Sequence, residues 1–185
     1  MITIIFEAVE TKRLVLRECR PADFNAIHEY GSDPEVSIYL PWGPNSEADT
    51  GNYLDSILSY QFHNPRKDYE IAIVLKETDL LIGVCSIHIT NDKTREGFIG
   101  YCYNRQYWGK GYASEAAKAI LEFGFMKLNL HRIFATCDPK NVGSSKVLEK
   151  IGMKREGHLR EHKLQRGKWR DSYLYSILEH EFSHK

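Results

Sequence analysis

The chain has 185 residues, 42% of them apolar and 27% charged, and its formal net charge is zero. That length and balance suit one domain, spanning residues 1–185, with a sizeable hydrophobic core. Zero net charge argues against nucleic acid or an anionic membrane as partner, so any attraction for an anion is local.

Cys19, Cys85, Cys102 and Cys137 are scattered without a C-x-x-C pair, and Cys85 and Cys102 fall inside strand-like apolar runs. They read as small buried hydrophobes in a reducing compartment, and no metal site is expected. The apolar opening Met1-Ile2-Thr3-Ile4-Ile5-Phe6 is too short for the core of a signal peptide and lacks basic flanks. No apolar run reaches bilayer-spanning length. A cytoplasmic protein is expected.

In chain order, residues 12–18 alternate Leu14 and Leu16 with Arg13 and Arg17, the period of a half-buried strand. Pro21-Ala22-Asp23 opens a helical pattern carrying Phe24, Ile27 and Tyr30. Asp33-Pro34 starts another helix, with proline at its first position. Leu40-Pro41-Trp42-Gly43-Pro44-Asn45 is a stiff irregular loop whose aromatic is either a lid over a pocket or loop packing. Helical spacing resumes over residues 46–62. Residues 69–75 and 81–90 are β-branched-rich strands joined by a turn at 76–79. A further turn at 91–94 leads to a strand ending at Tyr103. Residues 114–130 read as an amphipathic helix, 132–137 as a strand, and 144–151 as a short helix closed by Gly152. Two last strands flank a turn at 165–168. The expected fold is α+β, on a mixed, largely antiparallel sheet.

Gln106-Tyr107-Trp108-Gly109-Lys110-Gly111-Tyr112-Ala113 lies between the strand ending at Tyr103 and the long helix. A glycine-spaced strand-to-helix turn exposes backbone N–H groups at a helix N-terminus, where the dipole favours anions. The same glycines also suit a plain tight turn. Lys110 either adds charge to such a cradle or is solvated, and Ser114 either caps the helix or meets a phosphate.

Gln106-x-x-Gly109-x-Gly111 resembles the acyl-CoA pyrophosphate motif of the GCN5-related N-acetyltransferase (GNAT) family. Asn141-Val142-Gly143-Ser144 followed by Leu148-Glu149-Lys150-Ile151-Gly152-Met153 is similar to the family's N-x-x-S…L-E-K-x-G-F segment, with Met153 where phenylalanine is usual. Arg13-Leu14-Val15-Leu16-Arg17 with Asp23, Asp33-Pro34-Glu35-Val36, and Gly167-Lys168-Trp169-Arg170-Asp171 resemble the ribosomal-protein alanine N-acetyltransferase branch. The resemblance runs from about residue 11 to 178. It implies a GNAT fold, whose central twisted sheet has a splayed strand pair and flanking helices.

It further implies acetyl-CoA as cosubstrate, with no metal. The pyrophosphate would rest on Gln106, Gly109, Lys110, Gly111, Tyr112, Ala113 and Ser114. The pantetheine arm would pair with the backbone of Tyr101, Cys102 and Tyr103, and Asn141 would bond that arm or order its loop. Ser144 is the implied acid near the sulfur, with helix capping as its other reading; Tyr173 and Tyr175 are further candidates.

The base is less legible. Many relatives carry a glutamate two residues before the glycine of the splayed strand, and here that position is Phe98. Glu96, His88 and, more weakly, Glu70 are the candidates. The implied activity is acetyl transfer to a primary amine, with a protein N-terminal alanine or serine as one candidate acceptor. The alternatives are a polyamine, amino-sugar or antibiotic acceptor, or a CoA-binding module without chemistry. Monomer and homodimer are both open.

Overall fold

The computed structural model describes residues 4–182; the expectation placed on residues 1–3 lies outside them. Eight strands form one sheet in the order β1-β2-β3-β4-β5-β6-β8-β7. They are β1 (Val9–Glu10), β2 (Leu14–Glu18), β3 (Asp68–Leu75), β4 (Leu81–Asn91), β5 (Glu96–Tyr103), β6 (Arg132–Cys137), β7 (Lys154–Gln165) and β8 (Lys168–Leu178). β5 and β6 run parallel, and the other neighbouring pairs are antiparallel.

Alternation along the strands feeds two cores. In β3, Ile71 and Ile73 join one cluster while Ala72 and Val74 join the other, as a side-chain period of two requires. On the second face pack α1 (Phe24–Gly31) and α3 (Glu47–Tyr60), with the short α2 (Pro34–Ser37) beside them. Ile27, Tyr30, Leu54 and Ile57 fill that layer. The first face is covered by α4 (Tyr112–Met126), whose Ala116, Ala117, Ile120 and Leu121 are fully buried. Each such isoleucine or leucine stabilises the fold by about 1.5–3 kcal/mol. α5 (Val142–Lys150) packs beside α4 against β6 and β7.

Local signals set the helix starts. Asp33 accepts from the Glu35 amide at α2, and Ser46 and Asp49 form a capping box at α3. α4 differs. It begins at Tyr112 rather than Ser114, its N-cap is Gly111 in the left-handed region at φ +81°, and no side chain caps it. It ends at Met126, short of the expected residue 130.

The feature that positions the site is the brevity of the β5–β6 ladder. It holds only Glu96 with Arg132, Gly97 with Ile133 and Phe98 with Phe134. Beyond Phe98 the two strands part, while β5 stays paired to β4 through Tyr103. The expected splayed pair is therefore present. Among the described residues, no helix is long and apolar enough to cross a membrane.

Candidate active site

A cavity of about 380 Å³ passes through the splay. Cys137, Asn141, Ser144 and Leu148 line its β6–α5 side, Phe98, Gly100 and Tyr101 its β5 edge, and Trp42, Tyr53 and Glu70 its far side. A second cavity of about 500 Å³ shares Trp42, Tyr53 and Cys102 with it. Trp42 thus lines both spaces, 39% exposed.

Beyond the end of β5, the chain makes a 3₁₀ turn at Arg105–Tyr107 and enters the glycine segment. Gly109 and Gly111 have φ of +74° and +81°, a region that costs other residues about 1–2 kcal/mol. A Cβ at Gly109 would meet nothing within 4 Å, so the backbone there faces open space. The first turn of α4, just beyond, has no capping side chain for its amides.

Arg13 braces this cradle from β2's N-terminal edge. Its backbone amide and Nε donate to the Glu115 carboxylate at 2.8 and 2.7 Å, and Nη1 donates to the Lys110 carbonyl at 2.9 Å. Its guanidinium lies 4.3 Å above the Tyr112 ring. Burial would raise the Glu115 carboxyl, but hydrogen bonds from Thr11 and Arg13 hold it below the usual range. The sequence places Arg13 in a strand alternation and in the family-like opening, and neither shows this brace.

The remaining predicted cosubstrate residues fall around the same opening. The Lys110 ammonium lies 5.2 Å from the Tyr107 ring centroid. Ser114 is buried in the first turn and does not cap it. Gln106 contributes its main chain to the turn, whereas its side chain donates to Glu29 at 3.3 Å. Tyr101 and Cys102 line the cavity; Tyr103 is buried below it.

At α5 the expected roles redistribute. Asn141 is the N-cap, accepting from the Ser144 amide at 3.0 Å. The Ser144 hydroxyl, relieved of capping, lies 3.0 Å from the Tyr101 hydroxyl. Burial pushes the Tyr101 phenol well up, so it stays protonated and able to donate. Tyr175 instead donates to Glu149 at 3.1 Å, and Tyr173 lies against His158.

The three base candidates separate. Glu96 is held by Arg132 at 2.7 Å near the outer end of the β5–β6 ladder and does not line the cavity. His88 has Nδ1 at 2.8 Å from Asp68 and Nε2 at 3.4 Å from Glu70, with Phe98 stacked on its ring. Glu70, ranked last from sequence, lines the cavity. Burial pushes its carboxyl up to about 7, against the opposing effects of His88 and of the Tyr53 hydroxyl, which donates at 3.3 Å. One sequence signal was available: Glu70 has the same strand parity as the buried Ala72 and Val74.

His158 and His162 stand four apart, a spacing that suits a metal on a helix. They lie on strand β7 with separate partners, Asp171 and Ser172.

Residues 13–154 match the acetyltransferase (GNAT) domain family. The chain belongs to this family and is an N-acetyltransferase. Over 95% of its length it is 41% identical to an uncharacterized N-acetyltransferase, YnaD, of Bacillus subtilis, covering 99% of that protein. It is 24% identical to the [ribosomal protein uS5]-alanine N-acetyltransferase of Escherichia coli, over 90% of this chain and 88% of that one. A GNAT-family acetyltransferase from Bacillus anthracis superposes with a TM-score of 0.84 at 37% identity, covering 94% and 99% of the two chains. A spermidine N-acetyltransferase from Vibrio cholerae, in complex with CoA and spermine, shares the fold with a TM-score of 0.79 at 22% identity, covering 92% and 98%.

Proposed function

We propose that this N-acetyltransferase moves the acetyl group of acetyl-CoA to the α-amine of a protein N-terminus, alanine or serine. The observation that carries the reading is the parting of β5 and β6 after Phe98, which opens a cavity between the β5 edge, the β6–α5 side and the Trp42 loop. The free edge of β5 offers main-chain partners to the pantetheine arm. Amides of residues 109–114 cradle the pyrophosphate, and the Tyr101–Ser144 hydroxyl pair protonates the departing sulfur.

The acceptor side disfavours a polyamine. A polycation calls for an acidic wall, and here Lys163 and Arg170 line the cavity with Glu70, Asp138 and Asp171. Kinship with the uS5-alanine acetyltransferase supports a protein terminus. One observation favours a compact amino sugar instead: the acceptor rim is tied shut, because Arg166 of the β7–β8 turn donates to the Gly43 carbonyl at 2.7 Å and Gln165 donates to the Leu40 carbonyl.

Free-CoA release from acetyl-CoA tests the reading, with peptides beginning in alanine or serine set against glucosamine and spermidine. Peptide-dependent release supports a protein acceptor, glucosamine-dependent release moves the assignment to the small amine, and release with spermidine alone overturns both.

A further inference from the structure

Phe98 stands where the family resemblance places a carboxylate, so the proton of the acceptor ammonium needs another destination. Glu70, Ser86 and Gly100 face one another on a single rung across β3, β4 and β5. The next rung on the same face is Asp68, His88 and Phe98. Because Phe98 makes the last pair with β6, the Glu70 rung is the first on this face of the sheet beyond the point where β5 and β6 part. Ser86 is small and Gly100 has no side chain, so nothing bulky on that rung separates Glu70 from the mouth of the splay. A Cβ at Gly100 would already lie 3.1 Å from the Ser86 hydroxyl. Two strand spacings, about 10 Å between Cα atoms, are bridged by a glutamate side chain and one water or the acceptor nitrogen. Glu70, Ser86, Phe98 and Gly100 all line the same cavity.

We propose that Glu70 is the general base of the transfer, displaced by two strands and one rung from the position that Phe98 occupies. The assignment rests on the amine-acetylation reading above. The Glu70 carboxylate takes one proton from the acceptor ammonium, directly or through one water. The freed nitrogen lone pair attacks the thioester carbonyl carbon; the C–N bond forms and the C–S bond breaks, its electron pair going to sulfur. The Tyr101–Ser144 pair gives one proton to the thiolate and recovers it, through water, from the second proton that the nitrogen gives up, so the pair ends as it began. The proton on Glu70 then returns to solvent.

The surroundings suit a base working near neutrality. The titratable groups coupled to Glu70 are Asp68 on its own strand, His88 and Cys85 on β4, Cys102 on β5, Tyr53 on α3, Tyr30 on α1 and Cys19 beyond β2. Tyr53 and His88 hold its two oxygens, and Asp68 anchors His88 from behind. Phe98, stacked on His88 and edge-on to Phe134, closes that side.

The test measures kcat/KM against pH for the wild type, Glu70→Gln and His88→Gln, using the alanine- and serine-initiated peptides and glucosamine. It is paired with ¹³C NMR titration of the labelled glutamate carboxyls, Glu70→Gln identifying the resonance. The wild type is expected to lose kcat/KM below a break near pH 7. Glu70→Gln is expected to fall about 100-fold or more at neutral pH, with acetyl-CoA Kd unchanged. Its break is expected to move to the acceptor's own deprotonation, about pH 8 for an α-amine. His88→Gln is expected to keep the break and move it to higher pH, since His88 opposes the upward shift of Glu70. A Glu70→Gln enzyme with the wild-type rate and break, or a Glu70 carboxyl titrating in the ordinary carboxylate range, overturns the assignment. A wild type that releases no CoA with any acceptor refutes the transfer reading instead, and the carboxyl titration still judges Glu70.

Discussion

The Tyr101 and Ser144 hydroxyls lie 3.0 Å apart where β5 meets α5, and Ser144 is free for that contact because Asn141 caps the helix. Turnover and helix stability therefore map to different residues. Ser144→Ala is expected to lower kcat about 100-fold while costing no more than about 1 kcal/mol of stability. Asn141→Ala is expected to remove a helix cap worth about 1 kcal/mol. Tyr101→Phe combined with Ser144→Ala should lower kcat little more than either alone, because the two act as one donor. Steady-state kinetics and urea unfolding of the variants check this; equal losses of stability and turnover in Ser144→Ala would return Ser144 to a structural role.

Gly109 and Gly111 separate the backbone and ligand requirements of the cradle. A Cβ at Gly109 meets no neighbour, so Gly109→Ala is expected to cost only the left-handed strain, about 1–2 kcal/mol. Gly109→Glu adds a negative charge where the pyrophosphate is expected. Its acetyl-CoA Kd should rise at least about tenfold relative to Gly109→Ala, at similar stability. Calorimetric titration with acetyl-CoA measures both, and an unchanged Kd places the pyrophosphate elsewhere.

These experiments start from features of unequal legibility. Leu14 and Leu16, the β3–β4–β5 meander and the Gly152 stop were readable because period and turn chemistry are local properties. The two-residue β1 is too short to show a period, and α4 starts at a left-handed glycine without a side-chain cap, which is why Ser114 looked like its first residue. Glu70 shows the harder limit. A carboxylate at a strand start reads as solvent-facing. It is largely shielded because α1, α3 and the Trp42 loop close over that face, and only the fold brings Tyr53 and His88 to it. Glu96 and Gln106 fail to project into the cavity for a similar reason: Arg132 and Glu29 reach them from distant elements.

Partly buried Glu70 also makes stability depend on pH. Its carboxyl is raised from 4.5 to about 7 in the fold, so the folded chain retains a proton that the unfolded chain releases. The stability tied to that proton is fully present below about pH 4.5 and is lost as pH rises through 7. The shift corresponds to about 3 kcal/mol. Glu70→Gln, which has no such charge to bury, is expected to gain on the wild type by up to that amount between pH 4.5 and 8. Urea unfolding at both pH values measures the change, and a pH-independent difference would mean that the carboxylate is solvated in the fold.

Arg166 and Gln165 tie the β7–β8 hairpin to the loop that carries Trp42. Arg166, in the left-handed turn between β7 and β8, donates to the carbonyls of Ser37 and Gly43 at 3.1 and 2.7 Å, tying the hairpin to the Trp42 loop. No comparable contact links Arg166 to the glycine cradle among the described residues. Arg166→Ala removes charge-assisted bonds worth about 1.5–3 kcal/mol, part of which orders Trp42 against the cavity. Acceptor KM is therefore expected to rise about tenfold, with acetyl-CoA Kd unchanged and kcat little altered. Tryptophan fluorescence should show greater exposure of Trp42, with Trp42→Phe as the control. A loss of acetyl-CoA binding, or an unchanged acceptor KM, would mean that the hairpin does not shape the acceptor site.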